Sequence, residues 1–321
     1  MADEYTLLDY QLTAPPLVKA VVKTWREASP ILNLLKFKTT NRLTENFLQF
    51  KDVTSPSWRK IGESFTQGKV EPVPVQERVY FMGKKIDIPR EYVKAESLVD
   101  IRATQSEAVL KGAAFDFNTC FFRNDNQGSI DLDAIVGLHY RVHNDLASAQ
   151  SFDANIDVSG DTALTNWEFK LIDQVHDLLD RVDGMDSEKT LIMGRTLWLR
   201  TMSAFRKANQ VYNIQSNGLT YDTFGQNGPK IIQAGYQSDQ ATQILKDDES
   251  GTALTGGSDS SMYCINFGEG KVGGFAQEMP YAEDKGETED GVNLRTIVRF
   301  SPGIYIAHPR AVAVAYGWTA A

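Results

Sequence analysis

With 321 residues, 42% of them hydrophobic and 23% charged, the chain is long enough for about two domains around a sizeable core and has the make-up of a globular protein. A net charge of -9 and a pI near 5.1 exclude a protein that grips nucleic acid through a basic surface. The two cysteines, Cys120 and Cys264, lie far apart, and Cys120 falls inside a helical stretch, so a buried reduced thiol and not a disulfide framework is expected; no apolar run approaches the roughly 18 residues of a membrane span. The acidic start MADEYTLLDY lacks the pattern of a secretion signal, so a cytoplasmic product is expected.

Residues 1–57 lack a compact signature. Residues 17–27 (LVKAVVKTWRE) read as a short amphipathic helix begun by Pro15-Pro16. Trp25 sits in it, and the apolar cluster Pro30-Ile31-Leu32-Asn33-Leu34-Leu35 follows with few local partners. Such a segment is either a loose leader or an arm that packs elsewhere, and the apolar cluster favours the arm.

Residues 58–93 hold two extended segments, at 70–75 and 78–88. Pro72 and Pro74 exclude a central strand for the first. Lys60, Glu63, Lys69, Glu71, Glu77, Arg78, Lys84 and Lys85 make both faces polar. A two-stranded ribbon with so little apolar surface is marginal alone. It is an ordinary surface hairpin, or it lies on another molecule.

Residues 96–122 (ESLVDIRATQSEAVLKGAAFDFNTCFF) read as a spine helix about 40 Å long. Leu98, Ile101, Gln105, Ala108, Gly112, Phe115, Thr119 and Phe122 recur on one face, with Ser97 as the N-cap. Residues 130–142 read as a loop-rich return, and the lack of proline between Pro89 and Pro229 marks the middle as the most helical region. Residues 167–182 form an amphipathic helix capped by Thr165, with Phe169, Ile172, Val175, Leu178, Leu179 and Val182 inward. Residues 191–193 read as a buried strand, and residues 196–209 as a helix burying Leu197, Met202 and Phe205. Residues 211–285 are strands and loops, residues 283–291 an acidic turn, and residues 292–300, 304–307 and 311–315 three apolar strands.

No residues declare a catalytic site. His139 and His143 have helical spacing for a metal, but no glutamate lies between them and no third ligand is near, so they read as structural or surface histidines. Asn124, Asn126 and Gly128 lack the leading aspartate and terminal glutamate of a calcium loop. There is no GxSxG elbow, no P-loop, and no aromatic-basic platform for single strands. The sequence predicts neither an enzyme, a cofactor nor a metal.

The order of parts is more informative: an arm, a charged ribbon, a long helix, a helical and loopy middle, and a terminal set of strands. It resembles the tailed-bacteriophage major capsid proteins of the Hong Kong 97 type. The likeness is clearest at Gly62-Glu63 through Pro89-Arg90-Glu91-Tyr92, at the spine helix ending in Phe121-Phe122-Arg123-Asn124-Asp125, and at residues 292–300 (VNLRTIVRF) through His308-Pro309-Arg310-Ala311. Together these cover about half of the chain.

The resemblance implies an α+β, Hong Kong 97-like fold. It assigns residues 1–57 to an N-terminal arm, 58–88 to an extended loop, 89–150 to a peripheral domain with spine helix 97–122, and 151–284 to an axial domain. Residues 285–308 then return strands to the peripheral domain, and 309–321 to the axial one. It implies a shell of hexamers and pentamers around double-stranded DNA, held non-specifically, located in the virion and assembled in the host cytoplasm. A separate scaffolding protein and a portal are expected partners, with no membrane. Intersubunit contacts are expected at Trp25, Leu34, Leu35, Lys60, Glu63, Lys69, Glu71, Glu77, Arg78 and Asn293. Some family members join a loop lysine to a strand asparagine, using a glutamate seven residues after that asparagine. Here Lys69 or Lys60 and Asn293 match the first two, but the seventh position is Phe300, which cannot act as a base. A shell without covalent cross-links is therefore expected. The alternatives are an encapsulin-type compartment shell, a tail or neck component, and an enzyme.

Overall fold

A computed structural model describes residues 4–49, 55–65, 68, 71–94, 101–125, 131–146, 148–158, 166–216, 219–250, 252–253 and 255–319. The chain opens with β1 (Glu4–Thr6), α1 (Leu7–Thr13), α2 (Pro16–Ala28), α3 (Pro30–Leu34) and β2 (Lys36–Thr39). Thr6 and Asp9 close a capping box on α1, and the Ser29 hydroxyl caps α3 by accepting from the Leu32 amide. Next come β3 (Thr44–Gln49), β4 (Val73–Arg78), β5 (Met82–Pro89), α4 (Arg90–Lys94) and the spine helix α5 (Ile101–Arg123). The short α6 (Leu138–Tyr140) runs into a π-helical turn, Arg141–Asp145. Then follow β6 (Ser151–Asp157), α7 (Trp167–Arg181), β7 (Lys189–Met193), α8 (Arg195–Lys207), β8 (Val211–Ser216), β9 (Leu219–Phe224) and β10 (Lys230–Gln233). The chain finishes with β11 (Asp259–Asn266), β12 (Val272–Ala276), β13 (Tyr281–Glu287), β14 (Asn293–Phe300), β15 (Pro302–Ile306) and β16 (Val312–Thr319).

Two layers emerge. One is a mixed seven-stranded sheet in the order β6-β16-β11-β7-β10-β9-β8. Its central strands β7 and β11 are buried, as near-continuous apolar runs require, and α7 and α8 cover it with Leu171, Val175, Leu178, Met202 and Phe205. The other layer holds α5 with two smaller sheets, β1-β2-β12-β15 and β13-β14-β5. Its core is aromatic. Phe300 takes Trp25 and Phe37 edge-on, at ring-centre distances of 5.2 and 5.7 Å, and lies 6.1 Å from Phe117 of the spine.

Several expectations change here. The described part of the first 57 residues is no free arm. Its helix α2 packs along α5, and β2 is a sheet strand between β1 and β12. Trp25, Leu34 and Leu35 are buried in the chain's own interior, so they do not reach a neighbouring copy. The partners missing from the local sequence come from α5, β9, β10 and β14, far along the chain.

The ribbon is built differently too. β4 pairs antiparallel with β3, from Thr44↔Arg78 to Gln49↔Val73, whereas β5 joins β14 in another sheet. The spine buries Leu110, Ala114, Phe117 and Phe121; of the expected face Thr119 and Phe122 are buried too, whereas Gln105 and Ala108 are exposed. The expected caps Ser97 and Thr165 lie outside the described residues. In α7, Phe169 is exposed while Leu171 takes its place in the core. The proline-free middle carries four strands as well as helices, because proline is as unwelcome in a buried strand as in a helix. The acidic turn is partly strand β13, paired along β14. Strands β12 and β13 sit outside the seven-stranded sheet, so the layers change between β11 and β12 and not at residue 284.

Candidate assembly surfaces

The ribbon of β3 and β4 is fixed at its base. Phe47 stacks on Tyr305 of β15 at 4.1 Å, and Gln49 Nε2 donates to the Ile306 carbonyl at 3.2 Å. Glu77 meets Arg141 of the π-helical turn in a two-pronged ion pair, with Nη2 donating to Oε2 at 2.9 Å and both side chains nearly buried. Arg78 lies with its guanidinium 4.6 Å from the Tyr80 ring centre.

Beyond this base stands a tip, residues 55–65. Gly62 has φ +93°, a left-handed turn conformation open to glycine, and no atom would obstruct a Cβ there. The Glu63 amide donates to the Lys60 carbonyl, the Lys60 amide to Glu63 Oε2 at 3.1 Å, and Arg59 Nη1 to the Glu63 carbonyl at 2.8 Å. Arg59 also stacks over Phe65 at 4.4 Å. The turn presents Trp58 and Ile61 fully to solvent, with Phe65 at 79% exposure. Three large apolar side chains grouped on one exposed turn mark an interaction surface.

A second surface is a groove of about 610 Å³ beside the spine. One wall is α5, through Ala108, Val109, Gly112 and Ala113, and the other is the segment from Phe81 to Lys84. The face of α5 expected to be core thus lines this groove with small residues. A Cβ on Gly112 would meet open space. Asp116, Asp131 and Asp133 also line the groove. Burial, reinforced by Asp116 and Asp131, pushes the Cys120 thiol up to about 12 and keeps it neutral.

Of the expected contact residues, Lys60, Glu63, Glu71 and Arg78 are exposed along the loop. Lys69 lies outside the described residues. Glu77 is nearly buried and is paired with Arg141 of its own chain. Asn293 begins β14 opposite Pro89, half-buried, and Phe300 at the other end of that strand is core. Sequence reasoning missed Trp58, Ile61 and Phe65. Their signal was three large apolar residues in an otherwise charged stretch, with neither the period of a strand nor that of a helix.

The histidine pair is structural. The Thr252 carbonyl can only accept, so His139 Nε2 carries the proton and donates to it at 2.8 Å. The neutral ring's Nδ1 then accepts from the Tyr263 hydroxyl at 2.9 Å. His143 stacks edge-on at 4.5 Å, and burial beside His139 lowers its pKa to about 4. Among the described residues no group of three or more histidine, cysteine or carboxylate side chains is placed to hold a metal, and no helix is long and apolar enough to cross a membrane.

No protein-family model and no curated protein matches the sequence. Solved structures do. The SrpI encapsulin of Synechococcus elongatus PCC 7942 is similar with a TM-score of 0.59 and 13% identity, over 96% of this chain and 93% of that one. The capsid of a native GTA particle gives 0.59 and 10%, over 90% and 89%. The procapsid of satellite phage P4, which includes a size-determination protein, gives 0.55 and 11%, over 94% and 99%. The chain therefore has the Hong Kong 97-like, α+β fold shared by capsid and encapsulin shell subunits.

Proposed function

We propose that this chain is the major shell subunit of a tailed-bacteriophage capsid. Copies assemble as hexamers and pentamers into an icosahedral container for double-stranded DNA, located in the virion and built in the host cytoplasm. The observation that carries the reading is the apolar tip of Trp58, Ile61 and Phe65 on a ribbon whose base is locked by its own chain. A monomer leaves this surface in water, whereas a second copy covers it. The groove beside the spine is the surface that receives it: the tip carries Arg59 and Lys60, and the groove is lined by Asp116, Asp131 and Asp133. The layer containing α5 is the peripheral domain and the seven-stranded layer the axial one. The role is structural and not enzymatic, with a scaffolding protein and a portal as further partners. A net charge of -9 suits a wall that encloses DNA without gripping it. Lys60 or Lys69 forms no isopeptide bond to Asn293, and a peptide map of assembled shells checks this.

The likeness to the SrpI encapsulin supports a second reading, a compartment shell filled with protein. Negative-stain microscopy with size-exclusion chromatography decides whether rings and closed shells form, and nuclease-protected DNA or protein inside them separates the two readings. Two variants test the surfaces. The paired change Trp58→Ser and Ile61→Ser removes the tip's apolar face. Gly112→Leu narrows the groove, starting from a Cβ position with no neighbouring atom within 4 Å. Both are expected to leave a folded subunit that no longer forms shells. Normal shells from both variants would refute the proposed contact.

A further inference from the structure

The segment from Ile244 to Asp259, between β10 and β11, is tied to both layers. At the end of the spine, Arg123 Nη1 donates to the Ile244 carbonyl at 3.0 Å. On α6, His139 donates to the Thr252 carbonyl. On β11, the Ser260 hydroxyl donates to Asp247 at 2.6 Å and the Ser261 hydroxyl donates to Glu249 Oε2, while the Glu249 and Asp259 backbones exchange hydrogen bonds at 3.0 and 2.9 Å.

Glu249 is the centre of this arrangement and has no solvent exposure. Its Oε1 is buried with no hydrogen-bond partner, as is Asp248 Oδ1 beside it. The groups that face it are Asp247 and Asp248 of its own segment, Ser261 and Tyr263 of β11, and Arg123 of the spine, with His139 and then His143 beyond Tyr263. Tyr263 spends its proton on His139, so it offers none to the carboxylate. An ionised Glu249 thus has one hydroxyl donor, two carboxylate neighbours and one guanidinium already engaged with Ile244. A neutral Glu249 fits the same space without a buried charge. Burial holds this carboxyl up to about 7.

We propose that the described residues between Ile244 and Asp259 form a proton-operated latch between the spine helix and the seven-stranded sheet, closed when Glu249 is protonated and released when it ionises. Its partner is the proton, and the residue that reads it is Glu249. The latch belongs to the single chain and does not depend on shell assembly, so it stands or falls separately from the function proposed above.

Amide hydrogen exchange of the full-length protein at pH 6 and pH 8, corrected for the intrinsic rate, tests this. A carboxyl that titrates near 7 when closed and near its ordinary value when open makes opening about tenfold more favourable at the higher pH. Peptides covering residues 247–253 are expected to lose about tenfold in protection, while the buried strand β7 stays unchanged. Glu249→Gln, neutral and of the same shape, is expected to abolish the difference. Ser261→Ala, which removes the hydroxyl that donates to Glu249 Oε2, is expected to keep the pH dependence and move its midpoint up. Equal protection of wild type at both pH values, a parallel loss in β7, or a tenfold change that persists in Glu249→Gln would each overturn the latch.

Discussion

Replacing Glu77 by alanine strips Arg141 of its carboxylate while leaving the guanidinium where it is. The side chains are only 12% and 7% exposed, so water cannot take over from the lost partner. Arg141 Nε remains bound to the Val136 carbonyl at 3.0 Å, which holds the cation in place rather than letting it swing out. Removing one member of a buried pair costs about 3–5 kcal/mol, because the other is left as an uncompensated buried charge. Removing both is another matter. Glu77→Met with Arg141→Met exchanges the pair for apolar groups of similar volume, and such exchanges are near neutral. Urea unfolding of wild type, both single variants and the double variant closes the cycle. The expected result is a large loss for each single variant and recovery in the double one, at unchanged m-value. If the single losses were below about 1 kcal/mol, as for exposed pairs, or simply added in the double variant, the reasoning would fail. The same cycle reports on the ribbon, since Glu77 is its anchor on the π-helical turn.

Two further outcomes follow from the packing. A Cβ on Gly274 of β12 would stand 2.6 Å from the Phe37 ring, so Gly274→Val forces the aromatic core apart. It should cost about 1–3 kcal/mol in denaturant unfolding, and a neutral result would show that the core yields freely. His143 titrates near 4 in the folded chain against an ordinary value of 6.5, so the unfolded chain binds more protons between those values. Stability present above pH 6.5 is therefore lost as pH falls toward 4. The full shift is worth about 3 kcal/mol, and partial exposure of the ring reduces it to about 1–2 kcal/mol. Glu249 has the opposite sign over nearly the same window, since its raised value stabilises the folded chain as pH falls from about 7 toward 4.5. Wild-type stability should thus vary less there than either group alone would make it, and Glu249→Gln should expose an acid loss that His143→Leu does not show. Equal pH profiles for the two variants would contradict this assignment.

What could be read in the sequence was what local periodicity encodes. α2, α7, α8 and the strands around Ile192, Cys264, Val298 and Val314 stand close to where apolar spacing put them. The spine was found, and its inward face agrees at Thr119 and Phe122 but departs at Gln105 and Ala108, which are exposed. The series through Gln105, Ala108 and Gly112 and the series through Leu110, Ala114, Phe117 and Phe121 both keep helical spacing, and the choice between them depends on Trp25 and Phe300, which arrive from opposite ends of the chain. The N-terminal segment failed for the same reason. Leu34 finds its packing partners in Tyr221 and Ile232, nearly two hundred residues along the chain, a separation that no local pattern reports. The pairing of β3 with β4 spans a connection of more than twenty residues, so no turn signal announced it.

The packing of the N-terminal segment bears on how such a subunit associates. An arm ordered only on binding would lose much of its contact energy to its own ordering. Here the described residues up to Thr40 are largely packed into the chain's own core, and the apolar tip stands on a locked base. A tip stiffened by the Arg59, Lys60 and Glu63 bonds gives up little freedom when Trp58 and Ile61 are covered. Loosening the base should therefore weaken assembly even where the tip sequence is untouched. Glu77→Ala is expected to slow shell formation at concentrations where the subunit is still folded, and the Met–Met double variant to restore it. An assembly rate measured by light scattering that followed the tip residues alone, indifferent to the base, would place the affinity in the contacts themselves and not in their preorganisation.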